Sequence, residues 1–185
     1  MRTAFLLICL FSISSVSRAE NIRSNDALIY KSVLQAIVDH EKPEHYAVWN
    51  QTIDGATILT SRVPRHAPEN QFVSSLPGLP AALQAQLLDA KRAELATFDP
   101  AVSFVDRDSL LHAALGVIAV GLSRIVYDQR HNALVYAEDC LIIEGDTGCG
   151  GEAYWFVQSG KSWKLKKHAY LWQGNSTPFW NIASH

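Results

Sequence analysis

From Leu122 onward the chain breaks into short runs of β-forming residues, joined by turns too short to hold a crossover helix. No other feature constrains the fold as much. Strands are expected at Leu122 to Asp128, Ala133 to Asp139, Glu152 to Gln158 and Trp163 to Trp172. The turns between them run through Gln129 to Asn132, the Cys/Gly-rich segment after Cys140, and Ser159-Gly160. Consecutive strands this close together must be antiparallel. The run Tyr154-Trp155-Phe156-Val157 is apolar on both faces, so its strand is expected to be central and covered on both sides.

The first half reads differently. Ser24 or Asn25 can cap a helix from about Asp26 to Asp39, in which Ile29, Val33 and Ile37 recur every four residues and Leu28, Tyr30 and Leu34 widen the stripe. Tyr46 to Thr52 is a strand, Asp54-Gly55 a turn, and Thr57 to Leu59 a short second strand. Residues 62–80 hold Pro64, Pro68, Pro77, Gly78 and Pro80 and form a long irregular connection. A second helix is expected from Leu79-Pro80 to about Thr97, with Leu83, Leu87, Leu88, Ala90, Leu95 and Phe98 inward, and a short one from Asp108 to about Gly116. The fold class is therefore α+β: N-terminal helices packed on a C-terminal antiparallel meander of about four strands.

Residues 1–19 carry the three parts of a secretory signal peptide. Arg2 gives a positive start, Ala4 to Phe11 an apolar core, and Ser17-Arg18-Ala19 a small-residue cleavage site. The apolar core is too short to span a bilayer, which needs about 20 residues. The expected organisation is a signal peptide over 1–19 and a single α+β domain over 20–185, periplasmic or secreted. Without Arg2 and Arg18, the chain of 16 basic and 18 acidic residues keeps 14 and 18, a net charge of −4. That excludes a general nucleic-acid binder, which needs a basic face to neutralise phosphates. No later stretch is apolar and long enough to be an integral membrane segment.

Cys9 leaves with the leader, so Cys140 and Cys149 remain as an even pair in an oxidising compartment. A disulfide is the expected state, with a zinc site and a catalytic thiol at Cys149 (His168 as base) as the alternatives.

Several motifs occur in one order over the last third: Leu122-Ser123-Arg124-Ile125, Ala133-Leu134-Val135-Tyr136, Cys140, Gly148-Cys149-Gly150-Gly151, Tyr154-Trp155-Phe156, Gly160 and Trp163-Lys164-Leu165. This series resembles the C-terminal pattern of a functionally uncharacterised group of small exported bacterial proteins. The resemblance implies an exported α+β protein and no particular activity. The sequence departs from that pattern in having Leu141, not Gly, after Cys140, and a longer loop. The final hairpin is also similar to the end of nuclear-transport-factor-2-like domains, over that hairpin alone.

The only basic concentration is Lys161, Lys164, Lys166 and Lys167 with His168. On a regular strand Lys164, Lys166 and His168 share one face, opposite Trp163 and Leu165. Two readings fit: a docking face for an anionic partner, or edge-strand lysines that discourage aggregation. Trp172 and Trp180, with Phe179, could line a groove; most of the five tryptophans should be core. His40 and His45, with Glu41 or Glu44, have the residue types of a metal site but also suit a helix C-terminus. Asp106 and Asp108 read as helix-start acids, and His112 as a polar-face residue. The single Asp146-Thr147-Gly148 lacks the second copy that an aspartic protease requires. No phosphate loop, dinucleotide fingerprint or nucleophile elbow is present. No cofactor, metal or catalytic residue is assigned. The expected function is that of a non-catalytic binding protein of inhibitor or immunity type, acting on another exported protein. The alternatives are a small-molecule binder with an apolar pocket between sheet and helices, and a cysteine-dependent hydrolase.

Overall fold

The computed structural model describes residues 24–43, 45–60, 74–112, 116–143 and 146–175. The leader, residues 61–73 of the long connection, Glu44, Phe179 and Trp180 lie outside the described residues. In chain order the elements are α1 (Ser24–Glu41), β1 (His45–Ile53), α2 (Gly55–Thr60), α3 (Ala81–Leu88), β2 (Phe104–Val105), α4 (Arg107–Leu111), β3 (Val117–Ser123), β4 (Val126–Tyr127), β5 (Asn132–Ile143), β6 (Asp146–Ser159) and β7 (Ser162–Asn175).

The fold is α+β, but its sheet is mixed and has seven strands. The order is β2-β1-β3-β5-β6-β7, with β4 paired to β5. β5, β6 and β7 form the expected antiparallel run, and β3 joins it antiparallel to β5. β1 is parallel to both β2 and β3. The short-turn argument never applied to β1, because the chain between β1 and β3 is long enough to carry helices and return in the same direction.

Both faces of the sheet are covered. Alternation along β5 sends Ala133, Val135 and Ala137 to one side and Leu134, Tyr136 and Cys140 to the other. On the first side α1 lays Ile29, Tyr30, Val33, Leu34 and Ile37 against Val48, Val120, Tyr154 and Phe156. The Tyr30 hydroxyl donates to the Ser123 carbonyl at 3.0 Å, which fixes the helix to the end of β3. Leu28 departs from the expected stripe and is exposed. On the second side Ile58, Leu83, Leu87 and Leu110 from the shorter helices pack on Trp49, Leu134, Tyr136 and Trp155. Burying one such leucine or isoleucine contributes about 1.5–3 kcal/mol.

Four local expectations are corrected. Thr57 to Leu59 belongs to helix α2, not a strand, because the Asp54 carboxylate accepts from the Thr57 N–H at 2.7 Å and caps the turn. The second helix stops at Leu88. Beyond it the chain runs extended beside β1, with Thr52 N–H donating to the Ala93 carbonyl and Leu95 N–H to that of Asn50, each at 2.8 Å. Leu83 and Leu87 therefore serve one face of the sheet while Leu95 and Phe98 serve the other, so these four never formed a single helical stripe. The third helix spans Arg107–Leu111, and Leu122 to Asp128 is not one strand: Leu122 and Ser123 end β3, and Val126–Tyr127 forms the separate β4. Finally, the Cys/Gly segment continues the two long strands β5 and β6: Cys140 and Cys149 stand directly opposite each other and are disulfide-bonded.

Candidate functional site

β7 lies at the end of the strand order, so among the described residues its outer edge has no strand partner. It carries the basic run. Lys164, Lys166, Lys167 and His168 are all exposed, together with Leu165 and Tyr170. Two register shifts in the β6–β7 ladder, between Trp155 and Phe156 and between Gly151 and Glu152, each leave one extra residue on β7. Their effect is to change which residues share a face.

Lys166 is swung over the Trp155 ring, its Nζ 3.7 Å from the ring centroid, on the side covered by the short helices. Beyond the first shift His168 pairs with Tyr154 on the α1 side, where the two rings stack with centroids 5.6 Å apart. Lys164, Lys166 and His168 therefore do not share one face; the first bulge places His168 opposite Lys166. The second shift turns Trp172 back to the short-helix side, where its Nε1 donates to the Tyr136 hydroxyl at 2.9 Å. Tyr136 in turn donates to buried Glu138 at 3.1 Å. Gly151 makes room for this chain, since a Cβ there would overlap both the Trp172 indole nitrogen and the Tyr136 hydroxyl. Trp172 is thus half-buried and held by Tyr136.

A second polar cluster, not anticipated from the sequence, occupies the α1 side at the helix's C-terminal end. Buried Glu152 accepts from the Tyr154 hydroxyl at 2.6 Å and faces Tyr170 across the β6–β7 ladder. Asp139 lies over Gly150, its Oδ1 about 3.4 Å from where a Cβ would stand. Burial, then the charges of Glu152 and Glu41, push the Asp139 carboxyl up to about 7. Burial and the same Glu152 raise the Tyr154 hydroxyl above its ordinary range. From α1, His40 brings its ring to 5.6 Å from that of Tyr170 and its Nε2 to 3.4 Å from the Glu41 carboxylate. The signal in the sequence was slight: polar residues inside two strands whose other positions are apolar.

The remaining candidates resolve simply. The sulfurs of Cys140 and Cys149 are bonded to each other, so Cys149 carries no thiol, and His168 stacks on Tyr154 instead. Among the described residues, the one set of three ligand-type side chains that converges is Glu138 with these two cysteines, whose sulfurs the disulfide already occupies. His40 and Glu41 pair at the end of α1, and His45 is exposed. Asp106 caps α4 by accepting from Ser109 N–H at 2.7 Å, and His112 Nδ1 meets the Asp108 carbonyl at 2.8 Å. Asp146, Thr147 and Gly148 pair with Ile143, Ile142 and Leu141 at the start of β6. A hollow of about 820 Å³, open to solvent, lies between Pro80, Ala81 and Gln86 and the turn at Tyr127 to Arg130. No described helix is long and apolar enough to cross a membrane.

No family model, curated protein or solved structure matches this chain.

Proposed function

We propose that this chain is an exported, non-catalytic binding protein of inhibitor or immunity type, which grips an acidic extended segment of another exported protein along β7. The observation that carries the reading is the exposed lysine run on an end strand of the sheet, in an otherwise acidic chain. An end strand offers main-chain groups to a visiting strand, and the alternating side chains select its chemistry. Here they select for negative charge. The same lysines oppose a second copy of the chain, since like charges facing each other across a strand pair destabilise it. Lys166 is pre-positioned by Trp155, which lowers the ordering cost of binding. Export is supported by the leader and by the cysteine pair.

The apolar-pocket alternative would use the hollow between Pro80, Ala81 and Gln86 and the turn at Tyr127 to Arg130, which is open to solvent. The hydrolase alternative lacks its thiol.

The test is an NMR titration of the mature, oxidised protein with a synthetic peptide of alternating Glu and Val. Shift changes concentrated on residues 162–175, weakened by added salt and abolished in Lys164→Glu/Lys166→Glu, are expected. Changes scattered over the surface, no binding, or equal binding by the charge-reversed variant would overturn the reading.

A further inference from the structure

We propose that the Asp139–Glu152 pair is a pH-sensitive latch, which holds the C-terminal turn of α1 on the sheet while Asp139 is protonated and loosens it once Asp139 is ionised.

The geometry supplies both halves of the device. Glu152 is almost fully buried, accepts a hydrogen bond from Tyr154 on its own strand at 2.6 Å, and stands opposite Tyr170 of β7 in the ladder. Asp139 stands two positions away on the register of β5 and β6, on the same side, with its oxygen over Gly150. A second carboxylate here adds like charge in a poorly hydrated place.

Among the described residues, the groups that face Asp139 come from α1, β3, β6 and β7. α1 contributes Glu41 and His40, β6 contributes Glu152 and Tyr154, and β7 contributes His168 and Tyr170 beyond them. β3 contributes only apolar Val120, opposite Asp139 in the ladder. The charges acting on Asp139 are Glu152 and Glu41, which oppose its ionisation, and His40, which favours it. Ionised Asp139 therefore repels Glu152, which the sheet fixes, and Glu41, which sits on the last turn of α1. Glu41 lies at the end of α1, where its side chain is partly exposed. The helix end is held there by the His40–Tyr170 ring contact and by a last hydrogen bond from Lys42 N–H to the Val38 carbonyl at 2.8 Å, after which Lys42 takes a left-handed conformation at φ 49°. Because Tyr170 and His168 belong to β7, the latch would change the α1 side of the strand that carries the lysines. It is nevertheless independent of any partner, and its test uses none.

The experiment is amide hydrogen exchange on the oxidised protein, corrected for intrinsic rates, at about pH 5.5 and about pH 8.5. Protection of Lys42 and its neighbours on the last turn should fall about tenfold or more at the higher pH, while the amides of Ile29 to Leu34 change little. Asp139→Asn, which removes the titrating charge and keeps the shape, should hold the turn protected at both values. Equal loss in wild type and Asp139→Asn, no loss in wild type, or loss spread over all of α1 would overturn the latch. If Asp139→Asn does not fold, the carboxyl carbon of Asp139 is titrated in wild type and in Glu152→Gln. A neutral midpoint that drops in Glu152→Gln is expected. An ordinary carboxylate midpoint in wild type, or no drop in the variant, would overturn it.

Discussion

Gly151→Ala is the substitution whose cost follows most directly from the structure. The added methyl group has no room. It would overlap the Tyr136 hydroxyl and the Trp172 Nε1, and it would stand 2.7 Å from the Trp172 Cε2. None of these atoms can move freely, because Tyr136 lies fully buried on β5 and Trp172 is anchored on β7 by the hydrogen bond the methyl would displace. Overpacking of this kind costs about 1–3 kcal/mol. Separating Trp172 from Tyr136 costs about 1 kcal/mol more, and disturbing the Tyr136–Glu138 bond adds a similar amount. The expected destabilisation is about 3–5 kcal/mol, read as a lower urea midpoint with unchanged slope. Tyr136→Phe removes one of the struck atoms. The double variant Gly151→Ala/Tyr136→Phe should therefore be more stable than the two separate losses imply, by about 1 kcal/mol or more. A Gly151→Ala protein within about 0.5 kcal/mol of wild type, or strictly additive losses, would refute the packing argument.

Other perturbations act at separate places. Replacing Cys140 and Cys149 together by Ser should cost about 2–3 kcal/mol at the denaturation midpoint, since the bond closes a short loop of the unfolded chain with a sequence separation of 9. Asp54→Ala should cost about 3 kcal/mol in the same assay, because Asp54 caps α2 and also pairs with Arg92 at 3.1 Å in a mostly buried position. Asp139 has a folded-state pKa raised from 3.8 to about 7, so its contribution to stability is fully present below about pH 4 and is lost as the pH rises through 7. The shift corresponds to a ceiling of about 4 kcal/mol, reduced to about 2 kcal/mol by the partial exposure of the carboxyl, and Asp139→Asn should flatten that part of the stability–pH curve.

Local pattern was legible where a single periodicity governed a whole element. The four-residue recurrence of Ile29, Val33 and Ile37 gave α1, and the two-sided apolarity of Tyr154 to Val157 correctly placed β6 under cover on both faces. Pattern failed where tertiary partners decided the backbone. Lys91 to Phe98 has the composition of a helix, yet the open edge of β1 captures its amides and carbonyls, and the Arg92–Asp54 pair fixes it there. The parallel pairing of β1 with β3 could not be read from either strand, because a long connection leaves direction undetermined. The candidate site was half legible. The lysines of β7 announced themselves by composition. The bulges that separate Lys166 from His168 are properties of the ladder and have no residue signature here, as neither falls on a glycine of β7. The carboxylate pair was hidden for the same reason: Asp139 and Glu152 lie far apart in a turn-containing segment, and only the hairpin register makes them neighbours.

The proposed function requires export from the reducing interior, with the Cys140–Cys149 bond closed across β5 and β6. Intact-mass analysis of protein purified from its native source, without reductant and with rapid alkylation of free thiols, tests this directly. The expected species begins at Glu20, takes up no alkylating label, and gains two labels only after reduction. A mass that retains Met1 to Ala19, or alkylation of Cys140 and Cys149 in the unreduced protein, would contradict it.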